Sequence, residues 1–354
     1  MYPRMRIYLE RIRNNASVVA GLCAGHGLFI TGVSKAARGD PQVVQAFRDA
    51  GIRLIGDSRV ENLARLEHID VEKWLIRPPM PSETEQLVRY ADASLNSELA
   101  TIRAIDTAAQ ACGKKHKIIL MADLGDIREG YVDYDELVQT AEQVEQMKHV
   151  ELYGIGTNLT CFSFVQPDEA KMRQLAELSR RVGERVGHTL AVVSGGNSAT
   201  LDLMLRGGIC PGVNNLRLGE SLLFGRERAK YRFLPGTRND AFLLECEIVE
   251  LKEKPSLPWG EIGADSYGRK PSFQDKGNRL RAVCALGKQD FDAETAMPTD
   301  EGITILGASS DHLMLDVTDS KRNYQVGDIV ELRLGYFATL RAFTSEYVEK
   351  VYIE

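Results

Sequence analysis

The sequence predicts an α/β fold, with an N-terminal (β/α)8 barrel of the TIM type and a C-terminal all-β domain. Two observations support this prediction. From Met5 to about Gly225, eight short apolar runs alternate with longer segments of helical character. After about Pro235, strand-like runs follow one another with turn residues between them. We therefore divide the chain into residues 1–236 and 237–354, and the first strand, at about residues 1–10, joins either the barrel or the C-terminal domain.

The predicted barrel strands are short, and most are bounded by turn or capping residues. They are Leu28–Val33, Arg53–Gly56, Trp74–Ile76, Ala93–Leu95, Lys117–Ala122, Leu152–Gly156, Leu190–Val193 and Asn215–Leu218. Helical segments are predicted between them at Pro41–Gly51, Ser97–Cys112, Asp135–Lys148, Asp168–Gly187 and Ser198–Gly207. Ser97 and Ser198 are the expected capping residues of two of these helices. A doubly wound open sheet is the alternative, but no GxGxxG follows the first strand.

The composition is that of an ordinary globular protein. The chain has 354 residues, of which 44% are hydrophobic and 27% charged, and a formal net charge of -6. Without a basic excess, nucleic acid and acidic membrane surfaces are not expected partners. The six cysteines are scattered without metal-ligand spacing, which suits a reducing compartment and predicts no metal site. With neither a signal-peptide pattern nor a spanning apolar stretch, we expect a cytoplasmic protein.

One lysine follows the first predicted strand, at the end of a barrel where active sites lie. Lys35 comes two residues after the apolar run Leu28–Val33. Lysine avoids full burial unless it is paired or chemically useful, and desolvation lowers its pKa so that the free amine can form a Schiff base. The alternative is a lysine that has left the strand and points into water.

Two glycine-containing loops follow the last two predicted strands. They are Ser194–Ser198 and Leu218–Ser221. Glycines let backbone N–H groups approach an anion, and the loops after strands seven and eight of such barrels commonly bind phosphate. The alternative is that both are tight turns that only begin helices.

Taken in order, these residues resemble the pyridoxal-phosphate (PLP) enzymes of the alanine racemase family, and within it the ornithine racemase branch. Val33-Ser34-Lys35 is similar to the stretch whose lysine holds PLP. Asn197-Ser198-Ala199 matches the family's Asn-Ser-Ala motif, whose serine contacts the phosphate. Arg217-Leu218-Gly219-Glu220 resembles its Arg-Pro-Gly segment, in which the arginine faces the pyridine nitrogen and the following backbone, here Gly219 and Glu220, binds phosphate.

The resemblance implies roles for four further residues. Asn158 falls where alanine racemases carry the histidine of Thr-His, beside the cofactor ring. Arg128 matches the arginine that orients the substrate carboxylate, although it is as easily explained by pairing with Asp123 or Glu129. Tyr336 falls where the family has a tyrosine on the phosphate, and Asp311 where it has the aspartate of Cys-Met-Asp, near the partner subunit's site.

Racemisation needs an acid/base group on each face of the substrate Cα, and Lys35 serves one face. For the other, the family uses a tyrosine in an Ile-Gly-Tyr-Ala-Asp-Gly segment of the partner subunit. Here Ile262–Gly268 is one residue shorter, so Tyr267, Asp265 and, from the barrel, Cys161 are all candidates. The resemblance therefore implies a homodimer with shared active sites.

The leading hypothesis is a PLP-dependent racemase of ornithine or a similar basic or small amino acid. A decarboxylase of basic amino acids is disfavoured because those enzymes place a glutamate where this chain has Arg217. A PLP-binding cofactor-homeostasis protein is disfavoured because such proteins lack a β domain like the one predicted here after Pro235. The acidic group for a basic side chain remains open among Asp57, Glu61, Asp126, Glu129, Glu220 and Asp265.

Overall fold

The computed structural model describes residues 1–264, 268 and 272–354. It contains two compact units. One comprises Leu9–Ala241 with Glu354, and the other comprises Met1–Tyr8 with Phe242–Ile353. The predicted boundary lay between residues 236 and 237, whereas the division falls between Ala241 and Phe242, where the longest strand of the second unit begins. The first strand, β1 (Arg4–Tyr8), belongs to the second unit.

The larger unit is built on a closed barrel of eight parallel strands. These strands are Phe29–Val33 (β2), Leu54–Asp57 (β3), Glu72–Leu75 (β4), Ala93–Asn96 (β5), His116–Met121 (β6), Val150–Gly156 (β7), Val192–Ser194 (β8) and Asn215–Leu218 (β9). Each overlaps a predicted strand, and pairing of β2 with β9 closes the barrel. The predicted TIM-type barrel is therefore confirmed.

Helices alternate with the barrel strands. They are Leu9–Ala24 (α1), Pro41–Asp49 (α2), Val60–Ala64 (α3), Thr84–Tyr90 (α4), Leu99–Cys112 (α5), Tyr134–Glu145 (α6), Glu169–Val186 (α7), Thr200–Leu205 (α8) and Glu220–Phe224 (α9). Apolar residues at three- and four-residue spacing form the buried stripe of α1, from Leu9 through Ile12 and Val19 to Cys23.

Side-chain caps fix the start of several of these helices. Asp40 accepts hydrogen bonds from the backbone N–H groups of Gln42 and Val43, each at 3.0 Å, before α2. The prediction that Ser97 and Ser198 cap helices was wrong. The capping positions are Glu98 and Ala199, and neither makes a side-chain capping bond.

The barrel strands are buried on both faces, as expected for parallel strands covered by helices. One cluster of buried side chains joins four of the strands. It comprises Trp74, Ala93, Leu95, Ile119, Met121 and Val192. This packing fixes the strands relative to one another, so their carboxyl ends gather at one end of the barrel, where the loops carry polar residues.

The smaller unit is a mostly antiparallel sheet. Its strands, besides β1, are Phe242–Pro255 (β10), Asn278–Cys284 (β11), Ala296–Pro298 (β12), Thr304–Ala308 (β13), Leu313–Asp316 (β14), Ile329–Leu334 (β15) and Glu349–Ile353 (β16). β1 pairs antiparallel with β10 and parallel with β16. The predicted β-rich domain is confirmed, and it also contains a helix that was not predicted, Tyr336–Thr344 (α10).

In the part of the chain that the structure describes, no helix has both the length and the apolar character needed to cross a lipid bilayer.

Candidate active site

Lys35 follows β2 as the first residue of a short 3₁₀ turn, Lys35–Ala37. The residue before it holds this turn against the end of β3. Ser34 donates a hydrogen bond from Oγ to Oδ2 of Asp57 at 2.7 Å. The other carboxylate oxygen of Asp57 accepts from Nδ2 of Asn62 at 2.9 Å. The position of Lys35 is thus set by a buried carboxylate on the neighbouring strand.

The surroundings of Lys35 favour the neutral form of its amine. Its pKa lies below the ordinary lysine value, chiefly because burial removes water from the ammonium group. The positive charges of Arg128 and Arg228 lower this pKa further, while Cys161 and Asp57 raise it. A lysine with a lowered pKa supplies a neutral amine, which is the nucleophilic form.

Arg217 is buried in the barrel and surrounded by uncharged acceptors. Its Nη1 donates to Oγ of Ser194 at 2.5 Å, and its Nη2 donates to the carbonyl of Thr157 at 2.7 Å and to Oδ1 of Asn158. Burial lowers the pKa of Arg217 to about 10. Within the described ranges, this guanidinium forms no ion pair with a carboxylate, so its charge is available to a bound acceptor.

Glu129 connects Arg217 to Arg128. Arg128 donates from Nη2 to Oε1 of Glu129 at 2.5 Å and also pairs through Nε. The same carboxylate accepts a hydrogen bond from Nδ2 of Asn158. Of the two partners proposed for Arg128 as an alternative role, the structure selects Glu129 rather than Asp123. The result is a continuous chain of contacts from Arg128 through Glu129 and Asn158 to Arg217.

The two glycine-containing loops meet through their serines. Ser198, after β8, has its Oγ 3.3 Å from Oγ of Ser221, and the backbone N–H of Ser221 donates to the same Ser198 oxygen at 3.3 Å. Gly219 lies against β2, where an added Cβ would stand 3.1 Å from Cβ of Val33. Gly196 adopts a φ of 111°, which favours glycine. Two hydroxyls and loop backbone therefore converge at one place.

Cys161 lies in the loop after β7, which a buried aspartate holds in place. The carboxylate of Asp126 accepts from the backbone N–H groups of Cys161 at 3.0 Å, Phe162 at 2.9 Å and Ser163 at 3.2 Å. Nδ2 of Asn197 donates to Sγ of Cys161 at 3.3 Å. Cys161 is one of the groups that raise the pKa values of Lys35, Arg128 and Arg217, so it lies among the cations of the site.

Several acidic groups proposed for a basic side chain already have structural partners. Glu220 pairs with Arg226, with Oε1 2.7 Å from Nη2. The carboxylate of Asp126 accepts hydrogen bonds from the three loop N–H groups. The carboxylate of Asp57 accepts hydrogen bonds from Ser34 and Asn62. Glu61 is exposed on α3.

The remaining predicted site residues come from the C-terminal part of the sequence. Tyr336 is the first residue of α10, and Asp311 is exposed and accepts from Oγ of Ser310 at 2.6 Å; both belong to the smaller unit. Asp265 and Tyr267 lie outside the described residues.

Two residues near Ser198 were given no role of their own in the sequence analysis. Ser221 lies in the loop after the last predicted strand, and its position after Gly219 was the signal that could have identified it. Arg228 lies in a run in which every second residue from 226 to 232 is basic, and nothing in that alternation distinguishes it.

Sequence comparison identifies the family. Residues 7–227 match the family described as "Alanine racemase, N-terminal domain". The chain belongs to this family. An ornithine racemase from Acetoanaerobium sticklandii is 44% identical over 350 residues, covering 99% of each chain. A lysine racemase from Thermotoga maritima is 38% identical over 354 residues, again covering 99% of each. The predicted family and the predicted isomerase class are confirmed.

The same family accounts for the fold. An alanine racemase from Bartonella henselae, solved with covalently bound pyridoxal phosphate, matches this alanine racemase family member with a TM-score of 0.72. The match covers 99% of both chains at 19% sequence identity. At that identity it supports the shared architecture and not the substrate.

Proposed function

We propose that this protein is a PLP-dependent racemase that interconverts the L and D forms of a basic amino acid, ornithine or lysine. The observation that carries the proposal is Lys35, whose amine has a lowered pKa and is held at the carboxyl end of a barrel strand. The two curated relatives, an ornithine racemase and a lysine racemase, support a substrate with a cationic side chain.

The residues of the barrel fit PLP. Lys35 would hold its aldehyde carbon, and Ser198, Ser221 and the backbone at Gly219 and Glu220 would hold its phosphate. The convergence of two hydroxyls and loop backbone supports this role, since a phosphate accepts several hydrogen bonds. We assign Tyr336 to the same phosphate by its family position. PLP, when bound, stabilises the negative charge left on the substrate Cα when its proton is removed.

Arg217 would face the pyridine nitrogen, with Asn158 beside it. Its surroundings support this assignment, because three neutral acceptors fix the guanidinium and leave its charge without a carboxylate. Arginine keeps its proton, so Arg217 hydrogen-bonds the nitrogen without protonating it. That arrangement would leave proton transfer to positioned acid/base groups such as Lys35, which would favour racemisation over side reactions.

Two groups must move the α-proton. Lys35 removes or returns it on one face of the Cα plane, since its lowered pKa favours the neutral base. The second group remains one of Cys161, Tyr267 and Asp265. Cys161 has support from the barrel itself, since Asn197 donates to its sulfur and the loop that carries it is held by Asp126.

Arg128 would bind the substrate carboxylate in bidentate fashion. In the substrate-free chain this guanidinium is held by Glu129, so the substrate carboxylate must compete with, or join, that pair. The position of Glu129 also keeps Arg128 oriented before substrate arrives. Asp311 is a further substrate-binding candidate by its family position.

We further propose a cytoplasmic homodimer that shares its active sites. Family position assigns Tyr267, Asp265 and Asp311 to the site of the partner subunit, which supports two-fold assembly. All six cysteines are unpaired, which suits a reducing compartment. Sedimentation at assay concentration tests the assembly, and a fully active monomer would contradict it.

The decarboxylase and cofactor-homeostasis alternatives have less support. A decarboxylase of this fold needs a carboxylic acid at the pyridine nitrogen, where the candidate here is Arg217. A homeostasis protein lacks the β domain, whereas both racemase relatives align with 99% of this chain.

Proton NMR in D2O tests the proposal. The protein with PLP is incubated separately with L-ornithine, L-lysine and L-alanine. We expect loss of the α-proton signal without a new compound, fastest for ornithine or lysine, and no loss with Lys35→Ala. Chiral chromatography then detects the D enantiomer. Formation of an amine would indicate decarboxylation, and fastest exchange of alanine would contradict the basic substrate.

A further inference from the structure

The segment after α9 carries four basic side chains at alternate positions. Three of them are ion-paired within the barrel unit. These pairs are Arg226 with Glu220, and Lys230 and Arg232 with Asp202. The fourth, Arg228, forms no ion pair and no side-chain hydrogen bond with any residue that the structure describes. One cation of the four is therefore left for another ligand.

This segment is held in a defined conformation by a buried carboxylate. Glu227 is 1% exposed, and its two oxygens accept from the backbone N–H of Lys230, at 3.1 and 3.0 Å. Oε1 also accepts from the backbone N–H of Arg232 at 2.9 Å. Arg226 and Phe233 form an antiparallel bridge that closes the segment. Arg228 therefore lies in a segment whose backbone conformation is fixed by hydrogen bonds.

The segment joins the predicted phosphate loop at Arg228. Its backbone N–H donates to the carbonyl oxygen of Ser198 at 3.2 Å, and Oγ of Ser198 lies 3.3 Å from Oγ of Ser221 in the first turn of α9. The side chain is half-buried, and its positive charge lowers the pKa of Lys35. The guanidinium of Arg228 thus lies close enough to the amine of Lys35 to affect its pKa. The backbone of Arg228 is hydrogen-bonded to Ser198.

We propose that Arg228 binds the phosphate group of PLP, together with Ser198 and Ser221. This inference rests on the proposed function. The phosphate is anionic, so a cation near the two neutral serines would stabilise it. The neighbouring cation Arg226 is already paired with Glu220. A guanidinium matches phosphate with paired N–H donors, and a half-buried cation without a protein partner is stabilised by an anion.

The test compares PLP with pyridoxal, which carries the aldehyde but no phosphate. Both are titrated into apo-protein of the original sequence and of Arg228→Gln, with bound cofactor measured by visible absorbance. We expect Arg228→Gln to weaken PLP binding about 10-fold to 100-fold, the effect of losing a charge-assisted hydrogen bond. Pyridoxal binding should stay the same. Arg228→Lys should recover part of the loss, because it keeps the charge without the planar fork.

Lys230→Gln is the matched control. It removes a cation from the same segment, but one paired with Asp202 and 54% exposed, so PLP affinity should not change. Unfolding curves of each apo-protein identify a variant that fails to fold. Inorganic phosphate provides a second measurement, since it should raise the unfolding temperature of the original apo-protein more than that of Arg228→Gln.

Equal weakening of PLP and pyridoxal, or no weakening of either, would overturn the role of Arg228. An unchanged PLP affinity with a raised KM for the amino acid would instead assign Arg228 to the substrate carboxylate, and also overturns it. Borohydride reduction followed by mass analysis separates this failure from that of the proposed function. If the original protein forms no PLP adduct on Lys35, both proposals fail.

Discussion

Asn158 accepts, through its side-chain oxygen, a hydrogen bond from Nη2 of Arg217. The nitrogen of the same amide donates to Glu129, so its two ends are fixed by groups of opposite charge. Glu129 raises the pKa of Arg217 against the effect of burial, which lowers it. One carboxylate thus serves two arginines, Arg217 through Asn158 and Arg128 directly.

This relationship predicts a specific effect for Glu129→Gln. The variant keeps the size of the side chain but removes the charge that orients Asn158 and opposes the burial of Arg217. We expect kcat to fall about 10-fold, the effect of losing one charge-assisted hydrogen bond. KM should not rise, because Arg128 loses its competing carboxylate. Steady-state racemisation rates measure both constants.

Glu142→Gln is a matched control, since Glu142 pairs with Arg185 on the outer helices and should leave both constants unchanged. A raised KM with an unchanged kcat in Glu129→Gln would contradict this prediction and show that Glu129 serves mainly to orient Arg128.

Arg128→Lys should weaken substrate binding. Lysine keeps the positive charge but cannot form two parallel N–H bonds to a carboxylate. We expect KM to rise about 10-fold or more, with a smaller change in kcat. Arg103→Lys, at an exposed arginine bonded to Gln143, serves as the control. The assignment of Arg128 fails if kcat falls while KM stays constant.

The second acid/base group can be identified by isotope exchange. Cys161→Ala, Tyr267→Phe and Asp265→Asn are each incubated in D2O with either enantiomer. The variant that lacks the group should racemise about 10²- to 10⁴-fold more slowly. It should still exchange the α-proton of one enantiomer with retention, because Lys35 remains on that face. Full racemase activity in all three variants would exclude every candidate.

His116 should make stability depend on pH. It is buried at the start of β6, with Nε2 2.9 Å from Oγ of Ser94, and burial lowers its pKa from 6.5 to about 4. Between these values the unfolded chain binds a proton that the folded chain does not. The free energy of unfolding should therefore fall as the pH falls from 6.5 to about 4, by up to about 3 kcal/mol from this group.

Urea unfolding at about pH 7 and about pH 5 measures this difference. It should shrink in His116→Gln and persist in His68→Gln, since His68 is exposed. Equal pH dependence in the original protein and His116→Gln would contradict the prediction.

The barrel was predictable because each strand is a short apolar run, whereas the helices carry a periodic apolar face. All eight strands were located to within about two residues, an accuracy that boundary prediction rarely exceeds. The helix Tyr336–Thr344 was not predicted, because it is nine residues long and rich in aromatic and threonine residues that equally suit a strand.

The position of a residue was predictable where it closely follows a strand, as Lys35 follows β2 and Ser198 follows β8. Pairing choices were not predictable. Asp123 and Glu129 both lie within five residues of Arg128, and only the folded loop selects Glu129. Similarly, the four alternating cations after α9 are equivalent in sequence, and the positions of Glu220 and Asp202 decide which of them are paired.

The pairing of β1 with β10 and β16 has a consequence for how the protein is made. Arg4 aligns with Glu245 on one side and Glu349 on the other. During synthesis β1 must therefore wait for β16, while the barrel segment Leu9–Ala241 is complete before β16 is made. Among the described strands β16 pairs only with β1, so a chain shortened at its start would lose its ordered end as well.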